Sequence, residues 1–212
     1  MTSHDASRGV HRAASVLHRL PAWVLAVAFG MSFGVAGVAW AFSSPPGSSP
    51  DDDYHLTSIY CPPPIERSGC TLVRDASGRV VGVEVPEEVA HAQCFAIDPN
   101  RSGACELTLS ETRMVPTSRV DRGGYPGGYY IAMNRLVRPS VDGSVLSIRL
   151  ANVALASVIL GLLVWSAPRL SSGRVATVFL VTLTPLGIFF IASINPSSWA
   201  LIGVPGFYVA LH

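Results

Sequence analysis

The sequence predicts an α-helical integral membrane protein with three spans plus a partial fourth and an α+β loop domain on the extracytoplasmic side. Three observations carry that prediction. Of 212 residues, 49% are hydrophobic and only 14% are charged, whereas roughly a quarter of a soluble domain is charged. Three long segments carry no charge at all, and the four cysteines all fall between the first and second of them. A net charge of +1 supplies no basic face, so nucleic acid is excluded as a partner class. Every one of the fifteen basic residues is arginine, a mark of GC-rich, bacterial coding with no mechanistic content.

Residues 1–20 read as a cytoplasmic N-terminal segment holding Arg8, Arg12 and Arg19, and residues 21–42 as the first span. A hydrocarbon core of about 30 Å takes roughly 20 helical residues. A rival reading makes this segment a signal peptide ending at "AWA", Ala39 to Ala41. The apolar stretch is longer than the usual signal-peptide core, which favours a retained helix. Within it, Gly30 and Gly34 form a GxxxG pair that would let another helix approach closely.

Residues 43–144 follow as an extracytoplasmic disulfide-containing domain that opens with "SSPPGSSP". Cys61, Cys70, Cys94 and Cys105 are even in number and extracytoplasmic, a pattern that suggests two disulfides. Three connectivities are open. Pairing of neighbours is preferred because each bond then closes a short loop, and zinc is disfavoured because there is no CxxC pair. "TLVRDASGRVVGVEV" reads as a hairpin turning at Asp75 to Gly78. Tyr129 and Tyr130 precede the second span and suit a membrane interface.

Residues 145–167 form the expected second span, 168–174 a cytoplasmic loop, 175–194 the third span, 195–198 an outer turn and 199–212 a partial fourth. Arg169 and Arg174 flank the loop, and together with the arginines before the first span they place both regions in the cytoplasm. The chain ends inside an apolar pattern. The expectation is a front part of a longer protein, the alternative a short re-entrant or interfacial helix.

"SSPDDDYHLTSIYC", residues 48–61, stands just beyond the first span. Adjacent carboxylates raise one another's proton affinity or attract a divalent cation, and His55 adds a group that titrates near neutrality. The bland reading is a solvated acidic turn that caps a helix beginning near Tyr54.

The order "SPDDDYHL" resembles the Pro-Asp-Glu-x-x-His segment of the bacterial membrane-protein family called domain of unknown function 2142. "YPGGYYIAMNRL", "SIRLANVALA" and "TPLGIFFIASINPSSW" are similar, in order, to its later segments. The family is related to polytopic glycosyltransferases that use polyprenyl-phosphate sugars, so the resemblance implies the front part of a GT-C-type fold. It covers residues 20–212. Asp52 stands where the pattern more often has Glu and Asp53 where proline is common, both changes that keep charge.

The resemblance implies catalytic roles for Asp51, Asp52 and His55, with Asp51 as general base on an acceptor hydroxyl. It implies a divalent cation shared by Asp51 and Asp52, the only cofactor expected. Substrate binding falls to Arg149, near the outer end of the second span, and to Asn195, which lines the same outer cavity. The implied partners are membrane lipid, a polyprenyl-phosphate sugar donor and further helices. For Arg149 the plainer role is an interfacial arginine that snorkels, and for Asn195 it is breaking the helix together with Pro196. No GxSxG, P-loop, HExxH or dinucleotide motif offers competing chemistry. Two function classes result: a cell-envelope glycosyltransferase-like membrane protein, and a non-enzymatic membrane protein displaying an extracytoplasmic domain for binding or assembly.

Overall fold

A computed structural model describes residues 21–96, 98–167 and 169–210. Arg8, Arg12 and Arg19, the rest of segment 1–20 and the last two residues lie outside the described residues, as does the side chain of Arg169.

Helix α1 runs Ala22–Ser43 and contains no charge. Its buried residues, Ala26, Gly30, Phe33, Gly37 and Ala41, recur at spacings of three and four and so share one face. The rest of its surface is apolar too, with Trp23, Met31, Val35 and Phe42 exposed. A helix apolar all round belongs in a membrane or a deep core. Its partner is α5, Val141–Ser166, the second helix long and apolar enough to cross a bilayer. Ser140 caps α5 by accepting the Gly143 N–H at 3.2 Å, so the helix begins four residues before the expected span.

The α1 and α5 backbones meet where the GxxxG pair stands. A Cβ at Gly30 would lie 2.8 Å from the Ser157 carbonyl oxygen, and one at Gly34 would lie 3.0 Å from Ser157 Oγ. Absence of a side chain is what lets the two helices come together.

Between these helices a small domain forms from α2 (Asp52–Tyr60), β1 (Leu72–Arg74), β2 (Val80–Pro86), α3 (Glu87–Ala90), β3 (Met114–Thr117) and α4 (Gly128–Asn134). The expected hairpin is present: β1 pairs antiparallel with β2, Leu72 opposite Val83, and the turn closes through Asp75 and Gly78, the latter at φ 80°. A third antiparallel strand, β3, lies on the far side of β2, with Val85 opposite Val115. It was not foreseen, because four residues interrupted by Pro116 carry little strand signal.

Cys61 bonds to Cys70 and Cys94 to Cys105, the neighbour pairing, and no cysteine is free. The domain has no separate core. Leu56 and Ile59 of α2, Val83 and Val85 of β2, Tyr130 of α4 and Ile148 of α5 belong to one buried cluster. Tyr129 and Tyr130, expected at an interface, are instead 4% and 0% exposed within it. Helix α4 packs against α2, and its aromatic face turns into the protein.

The third apolar segment departs from the expected continuous helix over 175–194. Helix α6 covers Arg169–Thr182, which takes in most of the expected 168–174 loop, and α7 covers Pro185–Ile191. The two are bent by 87° at the break, so among the described residues there are two candidate spans, or up to three if the bent pair is one. Proline explains the break. It lacks the N–H that would continue the helix, and it pushes the residue before it out of the helical region. Thr184 stands at φ −60°, ψ 166°, and its side chain accepts the Gly187 N–H. Helix α8, Ser197–Ala210, begins two residues earlier than the expected fourth segment and contains Pro205.

The Gly30 contact predicts that Gly30→Ala lowers stability in detergent by about 1–3 kcal/mol through overpacking. Gly173→Ala, whose Cβ meets nothing within 4 Å, should lose nothing. Denaturant titration of the two variants against the parent checks this.

Candidate functional site

Helix α2 starts two residues earlier than expected, at Asp52, and consecutive side chains on it point about 100° apart. That spacing separates Asp52 from Asp53, while Asp51 precedes the helix. Asp51 adopts the left-handed conformation, φ 59° and ψ 21°, and makes no capping hydrogen bond. The expectation of a simple capping turn therefore does not hold. Asp51 instead reaches outward to Arg119, whose Nη2 donates to Asp51 Oδ1 at 2.7 Å. Asp53 takes the same guanidinium bidentately, through Nε and, at 3.0 Å, through Nη2. Asp51 keeps 60% of its side chain exposed, against 10% for Asp53.

Asp52 turns the other way and is fully buried. The Ser49 N–H donates to its Oδ2 at 3.2 Å, and Arg149 Nη2 stands 3.7 Å from the same oxygen. Burial raises its pKa to about 6, outweighing the attraction of Arg149 and the bonds from Ser49 and Ile194. Its Oδ1 finds no partner among the described residues. Only Asp51 is therefore solvated as the acidic-turn reading required.

Arg149 is 2% exposed, and its guanidinium is occupied by backbone rather than snorkelling. Nη1 donates to Ala41 O at 3.3 Å and Ser44 O at 2.6 Å, and Nη2 to Pro45 O at 2.9 Å. These carbonyls lie at and just beyond the C-terminal end of α1, where acceptors lack intrahelical donors and the helix dipole is negative. One cation from α5 thus closes α1, fixes the loop that follows and faces Asp52 at the start of α2.

His55, one turn along α2, is 1% exposed. Its Nδ1 lies 2.9 Å from the Tyr130 hydroxyl, and its ring sits among those of Tyr54, Tyr125 and Tyr130 at centroid distances of 5.4, 5.3 and 6.1 Å. Burial lowers its pKa to about 4, against the pull of Asp51 and Asp121. The imidazole is neutral at pH 7. Tyr54 donates to Asp121 Oδ1 at 3.0 Å, and the same oxygen receives the Gly124 N–H at 2.8 Å.

Asn195 stands in the turn between α7 and α8. Its Oδ1 accepts the Ser197 N–H at 2.9 Å and starts α8, while its Nδ2 donates to Pro50 O at 3.4 Å, beside the acidic stretch. A buried polar network that was not foreseen lies next to it. Asn152 of α5 donates to Tyr129 Oη and Ser193 O, and accepts from Trp199 Nε1. An amide inside a charge-free apolar run was the available signal. Arg119 and Asp121 had none, because their partners are more than sixty positions away in sequence.

The shared cation expected at Asp51 and Asp52 does not fit this geometry. The two carboxylates face different arginines, and among the described residues no three His, Cys, Asp or Glu side chains gather to hold a metal ion.

A family model described as a predicted membrane protein (DUF2142) matches residues 33–211. No curated protein and no solved structure gives a significant match.

Replacing Arg149 by Gln should cost about 3–5 kcal/mol, because it leaves Asp52 buried without its cation. Adding Asp52→Asn should restore part of the loss by removing the stranded charge. Thermal unfolding of the parent, the single variant and the double variant in one detergent checks the order.

Proposed function

Because the chain belongs to the DUF2142 family of predicted membrane proteins, we propose that it is a multi-pass cell-envelope protein whose acidic centre serves transfer of a sugar from a polyprenyl-phosphate carrier. The observation that carries the reading is the placement of Asp51. It is the exposed carboxylate of the three, held in a fixed backbone conformation just beyond the end of a candidate span. In this reading Asp51 removes the proton from an acceptor hydroxyl. The acceptor oxygen forms its bond to the anomeric carbon as the bond from that carbon to the carrier phosphate breaks, and the electron pair leaves with the phosphate.

An apolar groove of about 950 Å³ runs along α1 and α5, lined among others by Trp23, Met31, Val35, Val158, Leu162 and Trp165. It would take a lipid chain. Its far end reaches Val38 and Leu150, next to Arg149, so a chain lying there would bring its head towards the acidic stretch. His55 and Asp52 are enclosed, and in this scheme they hold the helix that presents Asp51.

The proposed orientation puts the N-terminus and the connection around Gly173 in the cytoplasm, and residues 43 to about 144 outside. A second reading, a non-enzymatic protein displaying the disulfide-bonded domain for binding or assembly, draws on Arg119, which already neutralises Asp51 and Asp53.

Orientation is tested by single added cysteines, since no native thiol is free. Thr112→Cys should react with an impermeant maleimide in intact cells and Gly173→Cys only after lysis. The opposite pattern reverses the topology.

Transfer is tested with Asp51→Asn. Asparagine tolerates the left-handed backbone, keeps the volume and cannot act as a base. Sugar transfer from a polyprenyl-phosphate donor should fall by about 100-fold or more, with expression and membrane insertion unchanged. Asp53→Asn should affect stability through Arg119 far more than turnover. Transfer at the parental rate by Asp51→Asn would leave the binding-protein reading in front.

A further inference from the structure

Arg138 follows α4 and precedes the cap of α5, and its side chain lies along α5 rather than away from it. A Cβ at Gly143 would stand 3.5 Å from Arg138 Cβ and 3.7 Å from its Cγ, and Arg138 Nε donates to Ser147 Oγ at 3.4 Å. The stem therefore passes over Gly143, where the missing side chain leaves room, and the guanidinium arrives at Ser147. Among the described residues no carboxylate pairs with it, and its two terminal nitrogens have no acceptor.

Gly143 and Ser147 belong to a stripe that runs on into the apolar groove. At about 100° per residue, positions 143, 147, 150, 154, 158, 161 and 165 fall on one side of α5, and the last five of them line the groove. Two carboxylates stand at the same end of the helix. Glu111 accepts the Val141 N–H at 3.2 Å, and Asp142 leaves α5 more than about 100° around from the middle of the stripe. The charge set on the stripe itself is that of Arg138. Depth agrees with this placement, since Ser147 and Trp165 are about 27 Å apart along the helix, close to the roughly 30 Å of a hydrocarbon core. With Trp23 and Trp165 at one interface, where such rings are suited, Ser147 and Arg138 stand level with the headgroups at the other.

A groove lined almost wholly by apolar side chains and ending under an unpaired cation is complementary to a chain with an anionic head. We propose that Arg138 and Ser147 form the headgroup site for a membrane lipid bearing an anionic phosphate, with its chain in the groove between α1 and α5. Phosphate oxygens accept from the terminal nitrogens of Arg138 while Nε stays on Ser147. The site shares its groove with the transfer reading but does not rest on it, because the lipid is held whether or not a sugar moves.

The experiment is native mass spectrometry of the full chain in a non-ionic detergent, titrated with phosphatidylglycerol or with phosphatidylcholine. One phosphatidylglycerol should bind about fivefold more tightly than phosphatidylcholine, the worth of one arginine near an anionic headgroup. Arg138→Gln should remove that preference, and Arg138→Lys should keep most of it. Arg79→Gln, which deletes the same charge at the distant hairpin, should change nothing. Ala154→Phe fills the exposed side of the groove and should weaken phosphatidylglycerol binding with Arg138 intact. Unchanged melting and intact disulfides establish that each variant is folded. Equal binding of the two lipids by the parent, an unchanged preference in Arg138→Gln, or its loss in Arg79→Gln would overturn the proposal. Unaltered binding by Ala154→Phe would overturn it too, by showing that the chain lies elsewhere. Full displacement of the lipid by millimolar inorganic phosphate would reduce the site to one for a free anion.

Discussion

The Arg149 guanidinium holds the rest of the arrangement in place. A charged group buried at the end of an apolar helix is tolerated when most of its donors have acceptors and the charge has a partner; in Arg149 the Nη1 and Nη2 donors do, while Nε finds none among the described residues. Here the partners are the carbonyls that end α1, the loop after it and the Asp52 carboxylate. The two longest helices, the turn between α1 and α2 and the register of the acidic stretch therefore depend on one another. Separating α1 from α5 would strand a cation, a carboxylate and several carbonyls together.

The three neighbouring aspartates show how a helix sorts identical chemistry. At about 100° per residue, Asp52 falls inward and has its proton affinity raised by burial while Asp53 meets Arg119, and Asp51, outside the helix in its left-handed conformation, turns to the same guanidinium. Mutual repulsion, the property most evident in a run of acids, is relieved because two arginines from distant parts of the chain divide the group between them. What distinguishes Asp51 is the access that its left-handed backbone and its place at the edge of the helix give it.

Local patterns were legible in the sequence. The apolar runs around α1 and α5, the Asp75 to Gly78 hairpin and the short-loop disulfides each depend on residues close together, and each is present. The α6–α7 break was legible in principle, since Thr184-Pro185 marks it, but hydropathy averaged across the pair read it as continuous. What distant partners decide was not legible. Tyr129 and Tyr130 read as interfacial because their hydroxyls suit water, whereas one meets Ile194 O and Asn152 and the other His55. Arg119 is one arginine among fifteen, and only the folded chain singles it out.

Arg149 Nη1 and Ser44 O are 105 positions apart in sequence, and Asn195 Nδ2 and Pro50 O are 145 apart. During synthesis the acidic stretch leaves the ribosome long before either partner exists. The end of α1 therefore waits for its Arg149 cap until the whole intervening domain has been made. The acidic centre, translated early, is thus among the last parts of the chain to gain its full set of partners.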